Sequence, residues 1–177
     1  MHPPLIDGDA TRAAVLARLA NADFAHFAGH GTFEVDRPER SGLLIVPRAE
    51  APEILSLRDF AATNLSRLRH ITLSSCWGAD SFIAPGRWII SLPETLCRSG
   101  AGSVLSCLWG VDDADGREFV RRFYRYLANL PRDQALRCAQ RDFLHATDVP
   151  DSLRNPCCWA GYILHGDSGA LRFTHPR

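Results

Sequence analysis

Short apolar segments alternate with amphipathic segments along this chain, and this feature most restricts how it can fold. The apolar segments are nearly uninterrupted, which is typical of strands buried on both faces. We predict strands in DFAHFAGHG, RHITLSSCWG, AGSVLSCLWG and WAGYILHGD, and a strand or hairpin arm in SGLLIVP. Helices are predicted in GDATRAAVLARLANA, LSLRDFAATNL, SLPETLCRSG, residues 116–130 and RDQALRCAQRDFL. This order predicts an α/β fold in which helices cover both faces of a mainly parallel sheet.

Several helix boundaries are predicted from individual residues. Asp9 is expected to cap the first helix, and Ser91 with Glu94 has the spacing of a capping box. Gly100 is placed to end that later helix. The helix over 116–130 is expected to turn apolar side chains inward (Val120, Phe123 and Leu127) and to carry a solvated arginine stripe (Arg117, Arg121, Arg122 and Arg125).

Length and composition restrict the class of protein. The 177 residues suit one domain, and no apolar run approaches the roughly 20 residues of a membrane span. The chain start does not resemble a signal peptide, which favours a cytoplasmic protein with reduced cysteines. All twenty basic residues are arginine and the net charge is zero, which argues against nucleic acid as an obligatory partner. Neither a P-loop nor paired metal ligands appear, so no cofactor or metal is expected.

Two residues that can perform nucleophilic chemistry follow predicted strands. His30 lies in a glycine-flanked break after one strand and Cys76 ends another, 46 positions later. Reactive groups of parallel sheets collect at the carboxyl ends of the strands, and this separation is close to the roughly 50 residues of caspases. A thiolate at Cys76 could attack a carbonyl while His30 moves the proton. Each residue taken singly is more often a small buried hydrophobe or a turn residue.

Glycine beside the histidine indicates how an oxyanion could be stabilised. Gly31 has no side chain to obstruct a substrate oxygen, so its N–H and that of Cys76 could together form an oxyanion hole. Such a site would serve hydrolysis of a peptide bond.

Seven segments resemble, in the same order, the motifs of the CHAT domain, a caspase-like peptidase domain found with tetratricopeptide repeats in bacteria. These are HFAGHG, SGLLIV, ITLSSCWGAD, AGSVLSCLWGVDDADG, FVRRFYRYL, DQALRCAQRDFL and NPCCWAGYILHGD, spread over residues 9–168. The resemblance implies a caspase-like three-layer sandwich in the clan of separases and metacaspases. It also implies a cysteine endopeptidase with His30 as acid/base and Cys76 as nucleophile. Trp77 departs from the family pattern and is expected to narrow the cleft or stack on substrate.

The same resemblance implies a further strand and helix before the first predicted helix. We therefore expect one CHAT domain over 1–177 that lacks its first strand–helix unit. A partner or an upstream region, such as tetratricopeptide repeats, would complete or control it. An unpaired sheet edge would then be open to pairing.

Substrate preference is also implied by the resemblance to separases, in which a similar segment holds a P1 arginine. Asp112 and Asp113 occupy the matching positions, and carboxylates favour guanidinium. The same residues could instead cap the next helix, and one could cap while the other lines the pocket. Trp109 could form a pocket wall or pack in the core.

Alternatives remain open at the level of sequence. A scaffold of this fold could bind a protein partner without catalysis, and Cys157 with Cys158 could sense oxidants. His26 is expected to be a core residue, and no partner is predicted for four other histidines (His70, His145, His165 and His175).

Overall fold

The structure is a computed structural model, and it describes residues 3–32, 34, 36–37, 40–46, 51–75, 81–84 and 88–171. Its strands are β1 (Phe24–Ala28), β2 (Gly31–Thr32), β3 (Gly42–Ile45), β4 (Glu53–Ser56), β5 (His70–Ser74), β6 (Ser81–Ala84), β7 (Trp88–Ser91), β8 (Ser103–Cys107) and β9 (Tyr162–Gly166). Its α-helices are α1 (Arg12–Asn21), α2 (Leu57–Ala61), α3 (Leu92–Arg98), α4 (Asp113–Leu127) and α5 (Arg132–His145). Short 3-10 helices occupy Asp7–Asp9, Asp151–Arg154 and Pro156–Cys158.

The central sheet has four strands in the order β1-β5-β8-β9. β1, β5 and β8 are parallel, and β9 is antiparallel to β8. The prediction of a mainly parallel sheet with helices on both faces is confirmed, and all five predicted strands are present. Within the described part of the chain β1 pairs only with β5, and the expected further strand stays a prediction.

Two smaller antiparallel sheets were not predicted as such. β2, β3 and β4 form one of them, so SGLLIVP supplies a hairpin arm, while β6 and β7 form a separate pair. Only two residues separate the end of β1 from the start of β2, which places this small sheet beside the carboxyl end of β1.

The sheet separates two apolar clusters because successive side chains of a strand point to opposite faces. Val104 lies in the first cluster and Leu105 in the second, although the two residues are adjacent in β8. Helices α1, α2 and α3 pack in the first cluster, and α4 and α5 pack in the second. Continuous burial of β8 on both faces explains its apolar sequence.

The predicted helix ends are partly confirmed. Asp9 belongs to a 3-10 helix, and the N-cap of α1 is instead Thr11, whose hydroxyl accepts from Ala14 N at 3.3 Å. Asp9 is therefore wrong as the cap because it lies too far upstream of the first turn. Ser91 caps α3 as predicted, accepting from Glu94 N at 3.2 Å.

Gly100 follows α3 with φ of +110°, a left-handed conformation that strongly favours glycine. A Cβ there would also lie 2.7 Å from Ser66 N, so the predicted end of this helix depends on glycine.

The arginine stripe of α4 is only partly solvated. Arg121 is exposed as predicted, but Arg122 is 2% exposed and pairs with three carboxylates (Glu118, Asp142 and Asp148). The prediction was wrong for Arg122 because it lies on the helix face that packs against α5 and the segment after it. No helix in the described ranges combines the length and apolarity that crossing a membrane requires.

Candidate functional site

The carboxyl ends of β1 and β5 lie side by side. The two strands pair from Phe24 opposite His70 to Ala28 opposite Ser74, and Gly29 N donates to Ser74 O at 3.2 Å one step further. His30 is therefore the second residue beyond β1. Cys76 is the second residue beyond β5 and lies, with Trp77, outside the described residues.

His30 is held at this edge by its main chain. Its carbonyl accepts from Leu44 N at 2.8 Å, which ties the break after β1 to β3, while the His30 side chain is exposed. Gly31 opens β2 opposite Leu43 and is half-buried. The roles predicted for His30 as acid/base and for Gly31 as oxyanion donor stay predictions.

An open cavity of about 360 Å³ lies at these strand ends. β1, β5 and the residues that follow them form one side, and the beginning of α4 forms another. The predicted residues His30, Trp109, Asp112 and Asp113 all line it, whereas Gly31 does not. The sequence thus identified residues from two separate segments that the fold brings around one cavity.

The sequence left two roles open for Asp112 and Asp113, capping of the next helix and lining of the substrate pocket. Asp112 is the N-cap of α4, and its Oδ1 accepts from Ala114 N at 2.9 Å. Asp113 begins the helix, and both aspartates are exposed at the cavity. Arg117 lies one turn further along α4 and also lines the cavity, so the rim carries charges of both signs.

Trp109 is both a cavity wall and a packed side chain. The indole is half-buried, and its Nε1 donates to Cys157 O at 2.8 Å. It lies against Gly161, where an added Cβ would approach the ring to 2.7 Å. Trp109 therefore has a fixed orientation at the cavity.

The prediction that His26 is a core residue is wrong. The side chain is exposed to the cavity, and its Nε2 lies 3.0 Å from Ser74 Oγ. Partial desolvation by the surrounding protein lowers the pKa of the imidazole. Strand alternation, which places His26 on the same face of β1 as Ala28 just before the His30 break, is the sequence feature that could have indicated this.

Ser75 is a polar group of the cavity that the sequence did not single out. It is 7% exposed, it lines the cavity, and its hydroxyl has no hydrogen-bond partner among the described residues. A buried hydroxyl without a partner is costly, which makes it a potential contact for a bound group.

The remaining histidines differ in their surroundings. His70, for which no partner was predicted, is buried and lies 2.7 Å from Ser103 Oγ through Nδ1. Desolvation lowers its pKa to about 3. His165 is half-buried with a lowered pKa, His145 is exposed at the end of α5, and His175 lies outside the described residues.

Cys158, one of the two cysteines that could sense oxidants, does not have the surroundings of a reactive thiol. Burial, helped by Asp115, raises the pKa of Cys158 to about 11, which disfavours its thiolate, and Cys157 beside it is exposed. In the part of the chain that the structure covers, no cluster of three or more metal-ligating side chains occurs.

Comparison with known proteins agrees with this architecture. Residues 2–167 match the family of the CHAT domain. The chain is also 25% identical over 204 aligned positions to mouse Tetratricopeptide repeat protein 28 and 23% identical over 205 to its human counterpart. Each alignment covers 95% of this chain but 8% of the relative, so the chain spans less than a tenth of those proteins. The family match extends over nearly the whole chain and includes every strand of the central sheet, and the protein therefore belongs to the CHAT domain family.

Proposed function

We propose that this chain is a caspase-like cysteine endopeptidase that uses Cys76 as nucleophile and His30 as acid/base. The pairing of β1 with β5 carries the proposal, because it directs the residues after Ala28 and Ser74 to the same edge of the sheet, at the cavity. We expect the Cys76 thiol and the His30 imidazole to meet at that edge, where they would be the two groups that acyl transfer by cysteine requires.

The reaction would proceed through an acyl-enzyme. The Cys76 thiolate attacks the peptide carbonyl, and His30 donates the proton that the leaving amine needs. Water then attacks the thioester with His30 as base, which releases the acid product and regenerates the thiol. The N–H groups of Gly31 and Cys76 would stabilise the oxyanion of both tetrahedral intermediates.

A substrate with arginine at P1 fits the acidic residues of the cavity. Asp113 is exposed there and does not supply the cap of α4, so its carboxylate is the better candidate to meet a guanidinium. Asp112 adds a second negative charge, although one of its oxygens is occupied by Ala114 N. Trp109 would contact the aliphatic part of the arginine side chain.

Control by a repeat region is proposed from the relatives, whose name describes them as tetratricopeptide repeat proteins. A repeat region in the same protein or in a partner would regulate access to the site. We also propose a cytoplasmic location, because the described cysteines are free thiols and suit a reducing compartment.

The decisive experiment incubates the purified chain with fluorogenic peptides that differ at P1. We expect cleavage after arginine by the wild type and none by Cys76→Ala, while Cys157→Ala, the matched control at an exposed thiol, cleaves normally. Asp113→Asn should reduce kcat/KM for arginine peptides by about tenfold or more, the loss of one charge-assisted bond. Cleavage by Cys76→Ala at the wild-type rate would contradict the proposed mechanism.

A binding module without catalysis is the second candidate, and the edge of β1 supports it. In the part of the chain that is described, that edge has no neighbouring strand, and a partner strand could add there. Alkylation separates the two functions: a thiol paired with an imidazole should react with iodoacetamide much faster than Cys157. Equal rates at Cys76 and Cys157 would favour the binding module.

A further inference from the structure

Ser74 is held at two points just before the candidate nucleophile. Its carbonyl accepts from Gly29 N at 3.2 Å, and its hydroxyl lies 3.0 Å from His26 Nε2. Both partners come from β1 or the residue after it, so the last residue of β5 is joined to β1 through main chain and side chain. Cys76 follows two residues later, and His30 follows Gly29 directly.

His26 is itself fixed by its surroundings. The imidazole meets the Tyr124 ring edge to face at a centroid distance of 5.7 Å, and Tyr124 in turn packs edge to face against Phe24 at 5.5 Å. These contacts with α4 hold the plane of the imidazole, which limits the directions in which Nε2 can meet a partner. A shift of α4 or β1 would therefore move the His26 ring and, through its hydrogen bond, Ser74.

We propose that His26 is a positioning residue that acts through Ser74 to set the spacing between His30 and Cys76. The inference rests on the proposed function and adds a residue to it. Without the hydrogen bond, the β5 end would be held to β1 by main-chain pairing alone, and we expect the Cys76 thiol to sample more positions relative to the His30 imidazole. Fewer of those positions permit proton transfer, which lowers kcat rather than substrate binding.

The test is a double-mutant cycle with two readouts. His26→Ala, Ser74→Ala and the double variant are compared with the wild type in the alkylation rate of Cys76, followed by mass spectrometry, and in kcat and KM for an arginine peptide. His26→Gln retains a side-chain amide that can hydrogen-bond Ser74, and His145→Ala removes an exposed histidine as the matched control. Urea titration of each variant verifies that the assays measure folded protein.

Each single alanine variant should lower both the alkylation rate and kcat by about tenfold, with KM unchanged. The double variant should lose no more than either single one, because all three lack the same contact. His26→Gln should stay within about threefold of the wild type and His145→Ala should be unchanged.

Several outcomes would overturn the inference. A wild-type rate in His26→Ala, losses that multiply in the double variant, or a change confined to KM would each show that His26 does not act through Ser74. If His26→Ala does not fold, Ser74→Ala and His26→Gln provide the same comparison. If Cys76 of the wild type reacts no faster than Cys157, the proposed function fails as well, since no reactive pair exists to be positioned.

Discussion

At the scale of single residues, His70 places an imidazole in the middle of the central sheet. It is fully buried, and its two nitrogens lie 2.7 Å from Ser103 Oγ and 3.2 Å from Thr72 Oγ1. Desolvation is the main reason that its pKa falls to about 3, and the positive charge of Arg132 and the proximity of His26 act in the same direction. The imidazole is therefore neutral in the folded protein at any pH near neutrality.

This burial predicts a loss of stability in mild acid. Below its ordinary pKa near 6.5, His70 binds a proton in the unfolded chain but not in the folded protein, so stability rises with pH between about 3 and 6.5. Acidification from pH 7 to pH 5 should cost about 2 kcal/mol through this residue. Urea unfolding at both values checks the loss. Asp59, Glu118, Asp148 and Asp167 contribute little in this range, because ion pairs and hydrogen bonds lower their pKa values further below it.

His70→Gln provides the control for that prediction, since an amide can hydrogen-bond Ser103 and Thr72 without titrating. Its unfolding free energy should depend less on pH by about the same 2 kcal/mol. A residual slope is expected because burial also lowers the pKa values of His26 and His165. If the unfolding free energy of His70→Gln depended on pH as strongly as that of the wild type, His70 would not be the responsible group.

The histidines also show what sequence can and cannot predict about single residues. His30 was predicted at a strand end because the glycines around it mark the break, and this information is local. His26 and His70 both lie within strands and both contact α4, through Tyr124 and Phe123, so their positions along the strands decide that one faces the cavity and the other the core. A strand pattern gives alternation but does not say which part of a face a helix covers.

At the scale of elements, α4 is attached to the rest of its layer by Arg122. The guanidinium donates to Glu118 on the same helix at 2.7 Å, to Asp142 on α5 at 3.0 Å and to Asp148 beyond α5 at 2.8 Å. These three carboxylates raise its pKa above the ordinary arginine value despite desolvation. One cation thus joins three segments of the second cluster.

Removal of this cation is predicted to be costly, because a buried guanidinium then no longer makes its charge-assisted hydrogen bonds to Glu118, Asp142 and Asp148. Arg122→Met should reduce the unfolding free energy by about 3 kcal/mol or more, measured by urea titration. Arg121→Met is the matched control, since Arg121 is 55% exposed and pairs with Glu118 alone among these three carboxylates, and it should reduce the unfolding free energy far less. Equal losses of unfolding free energy in Arg122→Met and Arg121→Met would contradict the distinction between the buried and the exposed arginine.

The arginine stripe shows the limit of helical periodicity as a predictor. The inward positions Val120, Phe123 and Leu127 were predicted and are buried, because the apolar period is a property of the helix itself. Arg122 was misassigned, since its partners Asp142 and Asp148 lie 20 and 26 residues away. Buried ion pairs over such separations leave no pattern within the helix.

At the scale of the whole molecule, a mainly parallel sheet covered by helices was predictable from the sequence, and the finer arrangement was not. The alternation of strands and helices predicted parallel pairing, and the resemblance of ordered motifs predicted the family. The hairpin of β6 and β7 and the antiparallel direction of β9 depend on long-range pairing that short segments do not encode. The cavity followed from the prediction that strand ends converge, while Arg117 and Ser75 were found only from the packing around it.

The two apolar clusters are predicted to unfold together, because both depend on the strands between them. Leu96 on α3 is fully buried in the first cluster, and α5 lies in the second. Leu96→Ala should cost about 3 kcal/mol, which corresponds to a roughly hundredfold faster exchange of globally protected amides. Hydrogen exchange followed by mass spectrometry should show this acceleration in α5 and β8 as well as in α3. Leu144→Ala removes an exposed leucine of α5 and should change exchange very little. Faster exchange confined to α3 would mean that the sheet separates two independently unfolding units. The cavity contains residues of α4 and of β5, so its stability would then be limited by the less stable unit.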